Sequence, residues 1–375
     1  LKKYIIFGAG ALGNRAVAKF GRDNISFFID NNPELCGKYK AGIEIKDIHT
    51  IIDSQNDSTI VIASRHWRAM EKQLNDLGIE DYVIYSQNAY FDTPDIIYNP
   101  YLDRRNDTDG GAKVLEINSI TQELYKNGEI SFFNHIEIET VNRCNGICSF
   151  CPVNARIDSR NYSIMDPKLF EKIINELEEY SYSGRIALFS NNEPLLDERI
   201  IDFHKYAREH LPKARMHLCT NGTLLTVEKY KSLMKYLDEL IIDNYNQQLE
   251  IIPSVKKILE YCKGNSDLEY RTTIVLRKTE EIMTSRGGDA PNVKNIEKYP
   301  NASCILPFTQ MVVRPDGKVS LCCNDALGKM TMGDLNTDSL ENIWNGEKFE
   351  QIRKKILDGR KNIERCKYCD TLYLI

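Results

Sequence analysis

No stretch of this sequence stays apolar for the ~20 residues that a helix needs to span a bilayer, which argues against a membrane-embedded role. A surplus of positive charge is also missing. Lys and Arg total 49 against 54 Asp and Glu, for a net charge of −5 and a pI near 5.8. A nucleic-acid partner usually leaves a basic footprint, and none is present. Histidine is scarce: the six in the chain, His66 and His135 included, form no ligand spacing and read as structural. Internal repeats and low-complexity tracts are absent, and the first residues read as a strand, not as a secretory signal. What remains is an ordinary globular composition, 42% hydrophobic and 27% charged over 375 residues, long enough for two or three domains. Eleven cysteines with no export signal point to the reducing cytoplasm, where such clusters bind metal or do chemistry.

Three of those cysteines stand in the run Cys144-Asn-Gly-Ile-Cys148-Ser-Phe-Cys151-Pro. Thiolates at this spacing can hold three irons of a 4Fe–4S cluster and leave the fourth iron without a protein ligand. Structural iron–sulfur and zinc sites normally close their coordination with four ligands, so an open position signals chemistry. The bland readings are a zinc knuckle or three buried thiols. The CxxxCxxC spacing, with Phe150 before the last cysteine, resembles the radical S-adenosylmethionine (radical SAM) superfamily. That resemblance implies that Cys144, Cys148 and Cys151 ligate a cluster whose open iron chelates SAM. Electron transfer from it then releases a 5′-deoxyadenosyl radical.

The fold class expected is α/β in three parts: a small Rossmann-like doubly wound sheet (1–95), a partial (β/α) barrel of five or six units (131–300), and a C-terminal extension (301–375). A linker covers 96–130, because Asn99 to Gly111 is polar and turn-rich. In the first part a strand at Tyr4–Phe7 runs into Gly8-Ala-Gly10-Ala-Leu-Gly13, a helix follows through Phe20, and the strand Ile25–Ile29 ends on Asp30. A tight glycine turn, a helix N-terminus aimed at phosphate and an acid after the second strand are the parts of a dinucleotide-type βαβ unit. Further strands are expected at Thr59–Ala63 and Tyr82–Tyr85, with a helix near Trp67–Leu77. The unit, about 90 residues long, is small for a hydride-transferring domain. It resembles the N-terminal domain of sialic-acid O-acetyltransferase-type sugar acyltransferases. That likeness implies that Gly8, Gly10, Gly13 and Asp30 hold a nucleotide or nucleotide-sugar.

From Ile136 strands and helices alternate, with strands expected at Ile136–Val141, Arg185–Phe189, Arg215–Cys219, Glu239–Asp243 and Glu269–Leu276. Repeated βα units make a parallel sheet, and a barrel keeps its active site at the C-terminal strand ends. The cysteine loop follows the first of these strands. After the second comes Ser190-Asn191-Asn192-Glu193-Pro194, where radical SAM proteins usually carry Gly-Gly-Glu-Pro to receive the SAM ammonium. Here both glycines are asparagine, a residue that tolerates left-handed backbone better than most. Glu193 also reads as a cap for a helix over Leu195–Glu209. The resemblance further assigns Phe150, Asn192, Glu193 and Asn221 of the Thr-Asn-Gly turn to the cofactor; by their places at the ends of strands four and five, Asn244 suits ribose hydroxyls and Arg277 the SAM carboxylate.

Cys304, Cys322, Cys323, Cys366 and Cys369 crowd the last 72 residues. A Pro315-Asp316-Gly317 turn between β-prone segments reads as a hairpin that returns Cys322 or Cys323 toward Cys304. A helical stretch over Leu340–Leu357 then delivers Cys366-Lys-Tyr-Cys369. Four thiolates close a second 4Fe–4S cluster or a zinc site. The Cys304-x12-Gly317-x4-Cys322 spacing followed by CxxC resembles the SPASM/twitch extensions of radical SAM enzymes, in the one-cluster form. It implies Cys304, Cys322, Cys366 and Cys369 as ligands. Adjacent strand residues point to opposite faces, so Cys322 and Cys323 do not both ligate.

The expected activity is oxidation of an alcohol on a sugar-like or nucleotide-linked small molecule, with the auxiliary cluster as electron acceptor and an electron donor such as flavodoxin or ferredoxin. A redox-neutral epimerase or dehydratase, with Cys219 as a hydrogen donor in the first case, is the runner-up. A peptide-modifying maturase and a regulatory protein on a degenerate scaffold stay open.

Overall fold

The computed structural model describes residues 3–53, 58–85, 96–97 and 110–372, and the chain divides into units 1–98 and 99–375. In the first unit, β1 (Lys3–Phe7), β2 (Ile25–Ile29), β3 (Tyr39–Lys40), β4 (Ile43–Lys46), β5 (Ser58–Ile62) and β6 (Tyr82–Ile84) line up as β3-β4-β2-β1-β5-β6. All pairs are parallel except β3 with β4. Helices Ala11–Phe20 and Trp67–Asp76 belong to two separate apolar clusters, as a doubly wound sheet requires.

The second unit holds β7 (His135–Ile138), β8 (Arg185–Ala187), β9 (Arg215–Thr220), β10 (Glu239–Tyr245), β11 (Thr272–Arg277), β12 (Gln310–Val313), β13 (Lys318–Ser320) and β14 (Thr331–Asp334) in one sheet, ordered β11-β10-β9-β8-β7-β12-β13-β14. From β7 to β11 every pair is parallel. Helix Pro167–Glu179 shows why the outer layer forms. Asp166 caps Lys168 N–H with Pro167 at the first helical position, and Leu169, Phe170, Ile173, Ile174 and Leu177 are buried along one stripe. Each such side chain contributes about 1.5–3 kcal/mol.

Four expectations need correction. Glu269 to Arg271 end the helix Ser266–Arg271, and β11 starts at Thr272; Asn265 caps Leu268 N–H and draws those residues into a turn. Leu340–Leu357 is two helices, Leu340–Trp344 and Glu347–Leu357, because Gly346 takes an extended conformation between them. After Glu193 a 3-10 turn (Pro194–Leu196) precedes the helix Ile200–His210. Of the residues expected as linker, 98–109 lie outside the described residues, but Gly110–Leu124 is a helix. Its Ile117, Ile120 and Leu124 recur at helical spacing and pack on Ile305 and Leu306. Its Asn118 accepts from Ser303 N–H at 2.7 Å.

The hairpin is present: β12 and β13 pair antiparallel through Val312↔Ser320 and Val313↔Val319. Its first strand also joins the barrel. β12 runs parallel to β7, with Gln310↔His135 through Val313↔Ile138 in register.

Candidate active site

The cysteine loop leaves the sheet just after β7. Cys148 is buried and Cys144 and Cys151 are half-buried. A Cβ at Gly146 would sit 3.3 Å from Cys144 Sγ and 3.9 Å from Cys148 Sγ, so the sulfurs flank a glycine that keeps the loop tight. Gly146 N–H points at Cys144 Sγ, 3.3 Å away. Asn154 Nδ2 fastens the loop by donating to the Cys148 and Cys151 carbonyls. Burial pushes the Cys144 thiol up to about 11, with Glu193 and Cys151 adding to it. Burial pushes Cys148 to about 12, with Cys151 and Cys144 nearby. Thiols so dry and so close to one another need a cation before they ionise together, which fits a metal cluster.

Around this loop the structure gathers most of the expected residues. Phe150 is buried, 5.8 Å ring to ring from Tyr245. Asn221 Nδ2 donates to Asn145 Oδ1 in the loop at 2.7 Å. Glu193 is 1% exposed and accepts from Leu195 N–H, Thr220 Oγ1 and Asn221 N–H. It therefore caps its turn and ties the Thr-Asn-Gly turn to it. Asn192 keeps a buried Nδ2 without a partner. Arg277 reaches Glu281 at 3.1 Å and Asp243 at 3.7 Å. Asn244 is not brought to the site. Its Oδ1 accepts from Ile252 N–H and its Nδ2 donates to Glu250 O, so both ends serve the turn after β10. Strand alternation gives the inward position to Asp243, whose Oδ2 is 3.3 Å from Cys219 Sγ.

Asn191, in the place of the first glycine, was not singled out by sequence. It donates from Nδ2 to Cys323 O at 3.0 Å and accepts from Arg286 at Oδ1, while its N–H donates to Glu139. A glycine here could make only the last of these. Asn191→Gly is expected to cost about 1–3 kcal/mol, read as a lower denaturant midpoint with an unchanged m-value.

The second set of thiols, Cys304, Cys322, Cys366 and Cys369, lines one small cavity. Burial raises Cys304, Cys322 and Cys366, and the other thiols of the set raise each of them further. Cys323 does not line this cavity; after burial, Glu137 and Arg286 act on it ahead of Cys304. Under the thiols lies Arg360, 1% exposed, donating to Ser303 O and Cys369 O. A cation buried against four thiols suits an anionic cluster. Among the described residues no three His, Cys, Asp or Glu converge to hold a single metal ion.

In the N-terminal unit Gly8 takes φ +110°, and a Cβ on Gly13 would lie 2.1 Å from Gly8 O, while Gly10 has open space above it. These are the three uses of glycine in a phosphate-binding turn. Asp30 braces the loop itself: its Oδ2 accepts from Ala9 N–H at 2.7 Å and its Oδ1 from Asn32 N–H.

Residues 138–277 match the radical SAM superfamily and residues 304–370 match SPASM, an iron–sulfur cluster-binding domain. Residues 1–85 match the N-terminal domain of the C2185-like family, and the acyltransferase likeness stays an expectation. The chain is 28% identical over 242 residues to the S-adenosyl-L-methionine-dependent 2-deoxy-scyllo-inosamine dehydrogenase of Niallia circulans, covering 64% of this chain and 94% of that relative. The crystal structure of BtrN in complex with AdoMet and 2-DOIA is similar at a TM-score of 0.56 and 26% identity, over 64% of this chain and 94% of that one. The two domains specify SAM, its 4Fe–4S cluster and an auxiliary cluster as cofactors. No described helix is long and apolar enough to cross a membrane.

Proposed function

We propose that this chain, a radical SAM enzyme with a SPASM-type extension, oxidises a carbinol carbon of a sugar-like or cyclitol-like alcohol to the ketone. In this reading Cys144, Cys148 and Cys151 hold the SAM-binding cluster, and Cys304, Cys322, Cys366 and Cys369 hold the auxiliary one. The first cluster supplies reductive cleavage of SAM, and the second supplies an acceptor for the electron left on the substrate. The observation that carries oxidation is the second thiol set: four thiols and a buried Arg360 around one cavity leave no open ligand position for substrate, but suit electron transfer. The dehydrogenase relative supports the same chemistry.

The chain's own residues bind and orient. Asn192, with its unpartnered buried amide nitrogen, and Asn221 face the SAM end, and Phe150 with Tyr245 forms an apolar wall there. Arg277 holds a cation beside Asp243, for the SAM carboxylate. With 2-deoxy-scyllo-inosamine and related cyclitols as probes, one 5′-deoxyadenosine is expected per ketone, without net consumption of reductant. A product at the oxidation level of the probe overturns the reading. Such a result favours epimerisation, with the Cys219 thiol, beside Asp243, as the candidate hydrogen donor; solvent deuterium at the reacting carbon identifies it.

Reducing equivalents for SAM cleavage come from a flavodoxin or ferredoxin in this reading. The N-terminal unit recruits a diphosphate-linked substrate at Gly8, Gly10 and Gly13. Saturating UDP-glucose should then raise the melting midpoint by several degrees, since binding at about 100 times Kd adds about 2.7 kcal/mol. Calorimetric scans with and without the nucleotide-sugar check this.

A further inference from the structure

The barrel interior holds an acid that none of these roles uses. His135, Glu137 and Glu139 alternate with Ile136 and Ile138 and so share one face of the chain. Glu139 is engaged by Arg160 and by Asn191 N–H. Glu137 is different. It is 7% exposed, its Oε1 accepts from Gln310 Nε2 at 2.8 Å, and its Oε2 is buried with no hydrogen-bond partner within 3.5 Å, with the Ser190 side chain as a hydrogen-bonding neighbour of the carboxylate. A buried carboxylate oxygen left bare is costly and calls for a partner. Its position tells which partner. Glu139, two residues on, bonds the SAM-motif loop at Asn191, while Gln310 Oε1 accepts from Cys323 N–H at 3.2 Å, next to Cys322. Glu137 therefore stands between the SAM end of the barrel and the second set of thiols.

We propose that Glu137 is the base that removes the hydroxyl proton of the alcohol being oxidised, with Gln310 holding Oε1 and the bare Oε2 facing the substrate. This rests on the oxidative reading above. Once the carbinol C–H hydrogen has gone to the deoxyadenosyl radical, the O–H bond breaks. The proton forms a bond to Glu137 Oε2, the C=O bond is completed, and the one surplus electron is that taken by the auxiliary cluster. Glu137 returns its proton to solvent between turnovers.

The two histidines nearby are weak bases. Burial first, and Arg185 second, hold His135 down to about 3, and burial keeps His217 well below its ordinary value. Burial is also the main cause that lifts Glu137 to about 7; Ser190, Arg286 and Arg185 favour its ionised form, and Glu139 opposes it. Cys323 and Gln310 complete the groups around it. A carboxylate tuned near neutrality is well suited to accept and release a proton. Oxidation should accordingly rise with pH through about 7, because only the ionised form is a base.

The test compares wild type and Glu137→Gln, both fully loaded with iron, on 2-deoxy-scyllo-inosamine deuterated at its carbinol carbons. The expected result is that the variant still moves deuterium into 5′-deoxyadenosine, while ketone per deoxyadenosine falls about 100-fold and its pH limb disappears. Infrared titration of the wild type without substrate should show a carboxylic acid band lost near neutrality and missing in the variant. An unchanged ketone yield in the variant overturns the proposal and leaves oxidation standing. Parallel loss of deuterium transfer and ketone also overturns it, as that marks a structural role. If wild type moves deuterium but makes no ketone, the oxidative reading fails, and the base role with it.

Discussion

Cys148→Ala should reduce SAM cleavage by on the order of 10⁴-fold or more, to background, while leaving a folded protein with about half of its iron. Cys148 is buried and flanked by Cys144 and Cys151 in a loop that Asn154 and Gly146 hold tight. With two thiols left, the cluster that opens a position to SAM has no third anchor. Iron analysis and 5′-deoxyadenosine formation with dithionite, measured together, read both effects. Cys219→Ala is the control: its thiol contacts Asp243 and not the loop cysteines, so iron content should be unchanged. Cys366→Ala should give the opposite pattern, with SAM cleavage retained and ketone lost. If Cys148→Ala keeps full iron and cleavage, the assignment of the loop to the first cluster fails.

The second large effect is expected at Arg360. Its guanidinium is buried among Cys304, Cys322, Cys366 and Cys369, and those thiols hold its proton more firmly against the opposing effect of burial. Reduction adds a negative charge beside this cation. Removing the cation in Arg360→Met should therefore lower the reduction potential of the auxiliary cluster, by on the order of 100 mV for a charge a few ångströms away in a dry site. It should also cost about 3–5 kcal/mol of stability in the loaded protein, as expected when one partner of a buried ion pair is lost. Arg360→Lys keeps the charge and should keep most of the potential. Potentiometric titration followed by electron paramagnetic resonance measures the shift. An unchanged potential would mean that Arg360 serves only its hydrogen bonds to Ser303 and Cys369.

These residues were unequally visible beforehand. The cysteine loop, the βα alternation and the hairpin at Pro315-Asp316-Gly317 are local, fixed by spacing and turn chemistry over a few residues, and they stand where the sequence puts them. Arg360 could not be found that way. It lies 56 residues after Cys304, and only the fold brings its charge beneath the thiols. The role of Asn244 failed for a simpler reason: a strand end offers two successive polar residues, and one slot of pleat decides which faces inward. Glu137 did leave a signal, a polar residue every second position along a strand that should be buried. The bonds of Asn191 to Cys323 and Arg286 left none, since both partners are distant in sequence.

The pairing of β12 with β7 has a further consequence. A strand that leads to the second set of thiols is hydrogen-bonded, residue for residue, to the strand that leads to the first. A hinge between the two would have to break that ladder. In the oxidative reading, the gap an electron crosses between the two sets of thiols is thus tied to sheet register. The extension is in this sense a continuation of the barrel sheet, and not a separate cap on it.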